Sequence, residues 1–168
     1  MQFGNYSGEK TPIQFQYPQG WNIEVSEYGS TIYTSIESPE KKSGISVCYG
    51  DQLMSTFGSS VFGAAMSESF GRHVGYYKQS KGVKVITKPT PVNIGGQDAA
   101  GSFVYKLKNK EIHETRIIQV WLIYIGIVES DVGGIGERGF EIAFSSTHFY
   151  DEEIIEIRDT LVNSIKFL

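Results

Sequence analysis

The chain has 168 residues, 22 of them aromatic, with 19 glycines, one cysteine and a formal charge of −4. Its 40% apolar and 20% charged residues exclude intrinsic disorder, and the single Cys48 excludes a disulfide framework. The size fits one domain spanning residues 1–168, and the acidic balance speaks against nucleic acid as a partner.

Residues 13–17, Ile-Gln-Phe-Gln-Tyr, alternate apolar and polar as a half-buried strand does. Pro18 and Gly20 then form a turn, and Trp21, Ile23 and Val25 share one face of a second strand. Residues 31–36, rich in β-branched and aromatic side chains, and residues 45–49 read as two more. Four strands joined by short turns predict an antiparallel meander. The period then changes. Phe62, Ala65, Met66, Phe70 and Tyr77 fall on one helical stripe, weakened by Gly63, Gly71 and Gly75.

Strands resume at 83–86. Pro89 and Pro91 remove backbone donors, so the next extended stretch belongs at a sheet edge or is irregular. Gly95 and Gly96 signal a tight turn, with positive φ expected at Gly96. A strand follows at 102–108, then a long one at 111–126 whose later part is apolar on both faces, the mark of a central strand. Phe140, Ile142 and Phe144 supply another alternating strand. A helix over 152–164 closes the chain, with Asp151 as its expected N-cap and Ile154, Ile157, Leu161 and Ile165 as its apolar stripe. This order predicts an α+β domain: an antiparallel β-sheet covered by helices on both faces.

Membrane insertion is not expected of this segment. The longest near-continuous apolar run, residues 117–128, falls short of the roughly 20 residues a spanning helix needs. Residues 1–5 have neither a basic start nor an apolar segment, so no signal peptide is read there.

The nine residues from Ile13 to Trp21 resemble the start of PsbP-like domains, where a short strand meets a Tyr-Pro-x-Gly-Trp turn. The likeness continues through the glycine turn Ile94-Gly95-Gly96-Gln97-Asp98-Ala99, the strand pair around Tyr105 and Tyr124, and the ending Asn163-Ser164-Ile165-Lys166-Phe167. The resemblance implies an α-β-α sandwich, a fold shared by extrinsic photosystem II subunits, prokaryotic lipoproteins and a Ran-binding nuclear-import factor. Such domains are mostly binding proteins, and commonly sit outside the cytoplasmic membrane behind a signal or lipid anchor. An extracytoplasmic location, with an anchor removed, is therefore expected from the resemblance alone.

Candidate chemistry is sparse. His148, Asp151 and Glu152 meet at the helix entrance and are the candidate metal ligands, against a competing reading of helix capping plus a surface histidine. His113 and Glu114 are adjacent on an expected strand and point to opposite faces. No serine lies in a Gly-x-Ser-x-Gly elbow, and Cys48 reads as a small packed residue. The loop at 133–136 lacks the full dinucleotide fingerprint.

Charge is divided more sharply than its total suggests. Residues 67–88 hold five basic groups and one acid, whereas the tail from 148 carries five acids against two basic groups. Within the basic middle, Arg72, Tyr76 and Lys78 form a candidate partner-binding patch, since aromatics and arginine are enriched at binding hot spots. The expectation is a non-enzymatic binding or assembly module without cofactor, whose partner is another protein. The alternative is a small-molecule or divalent-metal-binding domain with its site between sheet and helix.

Overall fold

The computed structural model describes residues 1–29, 31–50, 82–87, 90–109, 113–129 and 135–168. In chain order these form β1 (Phe3–Ser7), β2 (Ile13–Pro18), β3 (Asn22–Tyr28), β4 (Thr31–Glu37) and β5 (Ser43–Gly50). Next come β6 (Val83–Val85), β7 (Thr90–Ile94), β8 (Gln97–Asn109), β9 (Glu114–Glu129) and β10 (Ile135–Ser146). Helix α1 (Glu152–Ser164) and β11 (Lys166–Phe167) complete the described elements.

All strand pairs are antiparallel, and they make two sheets. The larger has eight strands in the order β3-β4-β5-β10-β9-β8-β6, with β7 also paired to β8. The smaller has three, β1-β2-β11. The expected α-β-α sandwich, one antiparallel sheet with helices on both faces, is therefore corrected. The protein is mostly β, with two sheets and one helix among the described residues. The expected helix over 62–77 lies outside them.

The physical reason is pairing at the chain ends. β1 shows no clean alternation, yet it pairs with β2 along its whole length, from Phe3↔Pro18 to Ser7↔Gln14. β11 adds to the other side of β2 at Lys166↔Gln14 and Phe167↔Ile13. Strand β2 is thereby drawn out of the expected meander, of which β3-β4-β5 remains. A small sheet shares with α1 the layer that was expected to be helical.

The main core lies where that layer meets the large sheet. Ile36, Ile45, Val47, Trp121, Ile123, Phe140, Ile142 and Phe144 of the large sheet cluster with Tyr6, Ile13 and Phe15 of the small one and with Ile157 and Leu161 of α1. Burying each such large side chain contributes about 1.5–3 kcal/mol. On the other face Phe103, Tyr105, Ile118, Val120, Leu122 and Ala143 form a second cluster. β9 contributes to both, with Val120, Trp121, Leu122 and Ile123 all buried, so it is the central strand its double-sided apolar run predicts.

Short turns hold the strands in register. Gly20, Gly29, Gly95 and Gly96 all have positive φ, Gly96 at 80° as its turn requires. Between β4 and β5 the Ser38 hydroxyl accepts from the amides of Lys42 and Ser43, both at 3.1 Å. At the end of α1 the Ser164 hydroxyl donates to the Leu161 carbonyl and accepts from the Gln16 amide at 2.8 Å. This hydroxyl completes the edge of β2 just before β11 takes over.

Candidate functional site

The partner-binding residues expected from sequence, Arg72, Tyr76 and Lys78, lie outside the described residues. His148, Asp151 and Glu152 are described, and the structure brings only two of them to one place. His148 and Asp151 line a cleft of about 400 Å³ together with Trp21, Ser38, Lys42 and Ile154, whereas Glu152 is not part of its lining. The His148 ring already has a neighbour, its Nδ1 lying 2.9 Å from the Thr147 hydroxyl. Among the described residues no group of three or more His, Cys, Asp or Glu is arranged to hold a metal ion. Asp151 occupies the N-cap with extended φ and ψ, but its side chain makes no capping hydrogen bond. His113 is in the turn before β9, with φ at 52°, and not on the strand expected for it.

Cys48 is half-buried on β5, directly across from Glu141 of β10. Burial pushes its thiol up to about 11, and the Glu141 carboxylate adds to the shift. A thiol held protonated in this way is a poor nucleophile at neutral pH. Two further clefts adjoin α1. In the one between α1 and β9, Gln119 donates to the Ser102 hydroxyl. Arg158, in the same cleft, donates to Asp159 and lies over the Phe149 ring at 5.4 Å. The other, over the small sheet, is lined by amides and hydroxyls together with Lys166 and the buried Tyr6 and Phe15, with Gln14 donating to Ser7.

A different feature distinguishes this fold, namely the contrast between the two ends of its large sheet. A sheet edge presents unpaired backbone donors and acceptors, and proteins ordinarily protect it with short strands, lysines, prolines and bulges. The β6/β7 end has all four. β6 is three residues long, its Lys84 is exposed and faces Lys106 across the ladder, and β7 carries Pro91 at a register shift between Thr90 and Val92.

The β3 end has none of these four, and its guard among the described residues is the Lys10–Glu27 ion pair. β3 runs seven residues in uninterrupted register with β4, contains neither lysine nor proline, and has no other described strand on its outer side. Its register with β4 puts Ile23 opposite Ile36 and Val25 opposite Thr34, so both point to the core face of the sheet. They project past the rim of that core, 40% and 56% exposed. On the opposite face Glu24 and Glu37 are exposed at the same edge, beside the 40% exposed Tyr33. One flanking contact comes from the loop after β1, where Lys10 Nζ lies 2.6 Å from the Glu27 carboxylate and has its pKa raised by that hydrogen bond.

Sequence alternation already placed Ile23 and Val25 on one face. Nothing in that pattern marks β3 as a terminal strand, because strand order is a long-range property.

No family model matches the chain and no curated protein matches it in sequence, so the PsbP-like resemblance rests on its short motifs. Among solved structures the fold is similar to that of LpqN, described as involved in cell envelope biogenesis of Mycobacterium tuberculosis. That likeness has a TM-score of 0.53 at 9% identity, covering 98% of this chain and 90% of LpqN. It is a likeness of fold.

Proposed function

We propose that this protein is a non-enzymatic binding module that recruits another protein by accepting an extended segment along β3. The observation that carries this reading is the unequal treatment of the two sheet edges. Evolution of a soluble β protein penalises an open, flat, apolar-sided edge, because such an edge pairs with whatever strand it meets. Keeping one edge protected while no described strand lies beside the other is what strand addition requires, with backbone hydrogen bonds supplying affinity and alternate side chains supplying specificity.

The fold likeness to LpqN supports an extracytoplasmic setting for this activity. No helix among the described residues is long and apolar enough to cross a membrane.

The reading is tested by selecting short random peptides displayed on phage against the immobilised chain. The selected peptides are then titrated against Ile23→Lys and Val25→Lys variants whose circular dichroism matches the wild type. Peptides that bind the wild type and neither variant support strand addition at β3. Peptides that bind all three equally, or a selection that enriches none, would overturn it.

A further inference from the structure

We infer that the segment β3 accepts is itself two-faced, alternating branched apolar residues with Lys or Arg. This rests on the strand-addition reading and adds the chemistry of the occupant. An added strand continues the pleat of its neighbour, so its successive side chains fall alternately on the two faces of the sheet. On the core face they meet Ile23 and Val25, two exposed branched side chains at the rim of the main core, with Glu27, held by Lys10, further along the same face. Apolar residues there extend that core by one strand. On the opposite face they meet Glu24 and, one strand in, Glu37, both exposed carboxylates. Cations placed there complement the charge, and acids would be repelled.

The alternative occupant, a second copy of the chain, fits poorly at either edge of the large sheet. Two β3 strands would bring together two copies of the exposed Glu24 with no basic residue on either strand, since the cation beside β3, Lys10, is held by Glu27. Pairing β3 with the far end of another copy would need the three-residue β6 or the proline-bearing β7, which are the protected strands. The charge complement and the open apolar rim together point to a basic, alternating segment from another polypeptide.

Fluorescence anisotropy decides this with three labelled peptides: alternating Val and Lys, alternating Val and Glu, and the Val/Lys composition rearranged into two blocks. The alternating Val/Lys peptide should bind the wild-type chain at least about tenfold more tightly than either other peptide, and more weakly as salt is raised. Glu24→Lys should cost that peptide about tenfold and improve the Val/Glu peptide, while Val25→Lys should weaken both. If Glu24→Lys does not fold, the wild-type ranking and its salt dependence decide the matter. Equal binding of the alternating Val/Lys and Val/Glu peptides, both lost in Val25→Lys, would overturn the basic occupant and leave strand addition standing. Binding by no peptide, or binding unaffected by Val25→Lys, would overturn both. A concentration-dependent dimer seen by sedimentation and abolished by Val25→Lys would assign the edge to a second copy and overturn the inference.

Discussion

The Tyr6 hydroxyl lies 3.0 Å from the Thr34 hydroxyl in a buried contact that ties the small sheet to the large one. Tyr6 also stacks on Phe15, with ring centroids 4.8 Å apart, so the hydrogen bond sits beside an aromatic pair in the main core. Tyr6→Phe keeps the ring and removes the hydroxyl, leaving the buried Thr34 oxygen without this partner. The expected loss is about 1–2 kcal/mol in urea denaturation. Thr34→Val should cost a similar amount, and the double variant should cost less than the two together, because neither polar group is then left unmatched. Additive losses would show that the pair does not act as a unit.

The glycine turn between β7 and β8 offers a graded test. Both Gly95 and Gly96 have positive φ. A Cβ on Gly96 would meet nothing within 4 Å, so Gly96→Ala carries the conformational penalty alone, about 1 kcal/mol. A Cβ on Gly95 would lie 2.9 Å from the Ile165 carbonyl oxygen and from the Phe167 ring. Gly95→Ala should therefore lower the melting temperature clearly more than Gly96→Ala, and equal shifts would count against the close approach of β11 to this turn.

Much of this architecture is legible in the sequence. Alternation located β2 through β5, and the apolar run of 120–125 marked β9 as central, as Val120 and Ile123 at 0% exposure confirm. Pro91 marks a stretch that is irregular or lies at a sheet edge, and β7 both pairs with β8 off the main strand path and carries a register shift. What alternation does not carry is which strand pairs with which. β1, with Gly4 and Asn5 inside it, has little intrinsic strand character and forms because β2 supplies a ladder. β11 is two residues long and is held by the same ladder, so the closing Lys166-Phe167 gives no local sign of being a strand. The open edge at β3 was hidden for the same reason. Its residues were visible, and their place at the end of an eight-strand order was not.

Helix α1 tests how much its first residue matters. Asp151 has the backbone angles of an N-cap but makes no side-chain capping bond, and the first turn already carries Glu152 and Glu153. Asp151→Ala should cost about 0.5 kcal/mol or less, the remnant of its interaction with the helix dipole. A loss near 1–2 kcal/mol, as for a hydrogen-bonded cap, would show that the carboxylate caps the helix in solution.

Cys48 makes a pH-dependent prediction. Its folded pKa is raised to about 11, above the roughly 8.5 of an unfolded thiol. Only about 0.1% is thiolate at pH 8, so modification by a disulfide reagent should be slow in the folded protein and fast in urea. The sign for stability follows from linkage. Between about pH 8.5 and 11 the folded state keeps a proton that the unfolded state releases, so stability falls as pH rises through that window. Below it both states are protonated and the thiol contributes nothing. Cys48→Ala should flatten the alkaline decline in urea melts, and an unchanged slope would place the cause elsewhere.

The ladder that joins β2 to β11 also has a consequence during synthesis. The Gln16 amide waits for the Ser164 hydroxyl, 148 positions downstream, and the Leu168 amide closes on the Pro12 carbonyl. A nascent chain therefore emerges from the ribosome with Ile13 and Phe15 ready but their covering absent until α1 and β11 have been made. Contacts of such sequence separation form late and slowly. A polypeptide stalled before α1 presents those apolar residues to chaperones and proteases, so the synthesis of residues 152–167 decides when the early strand β2 gains its cover.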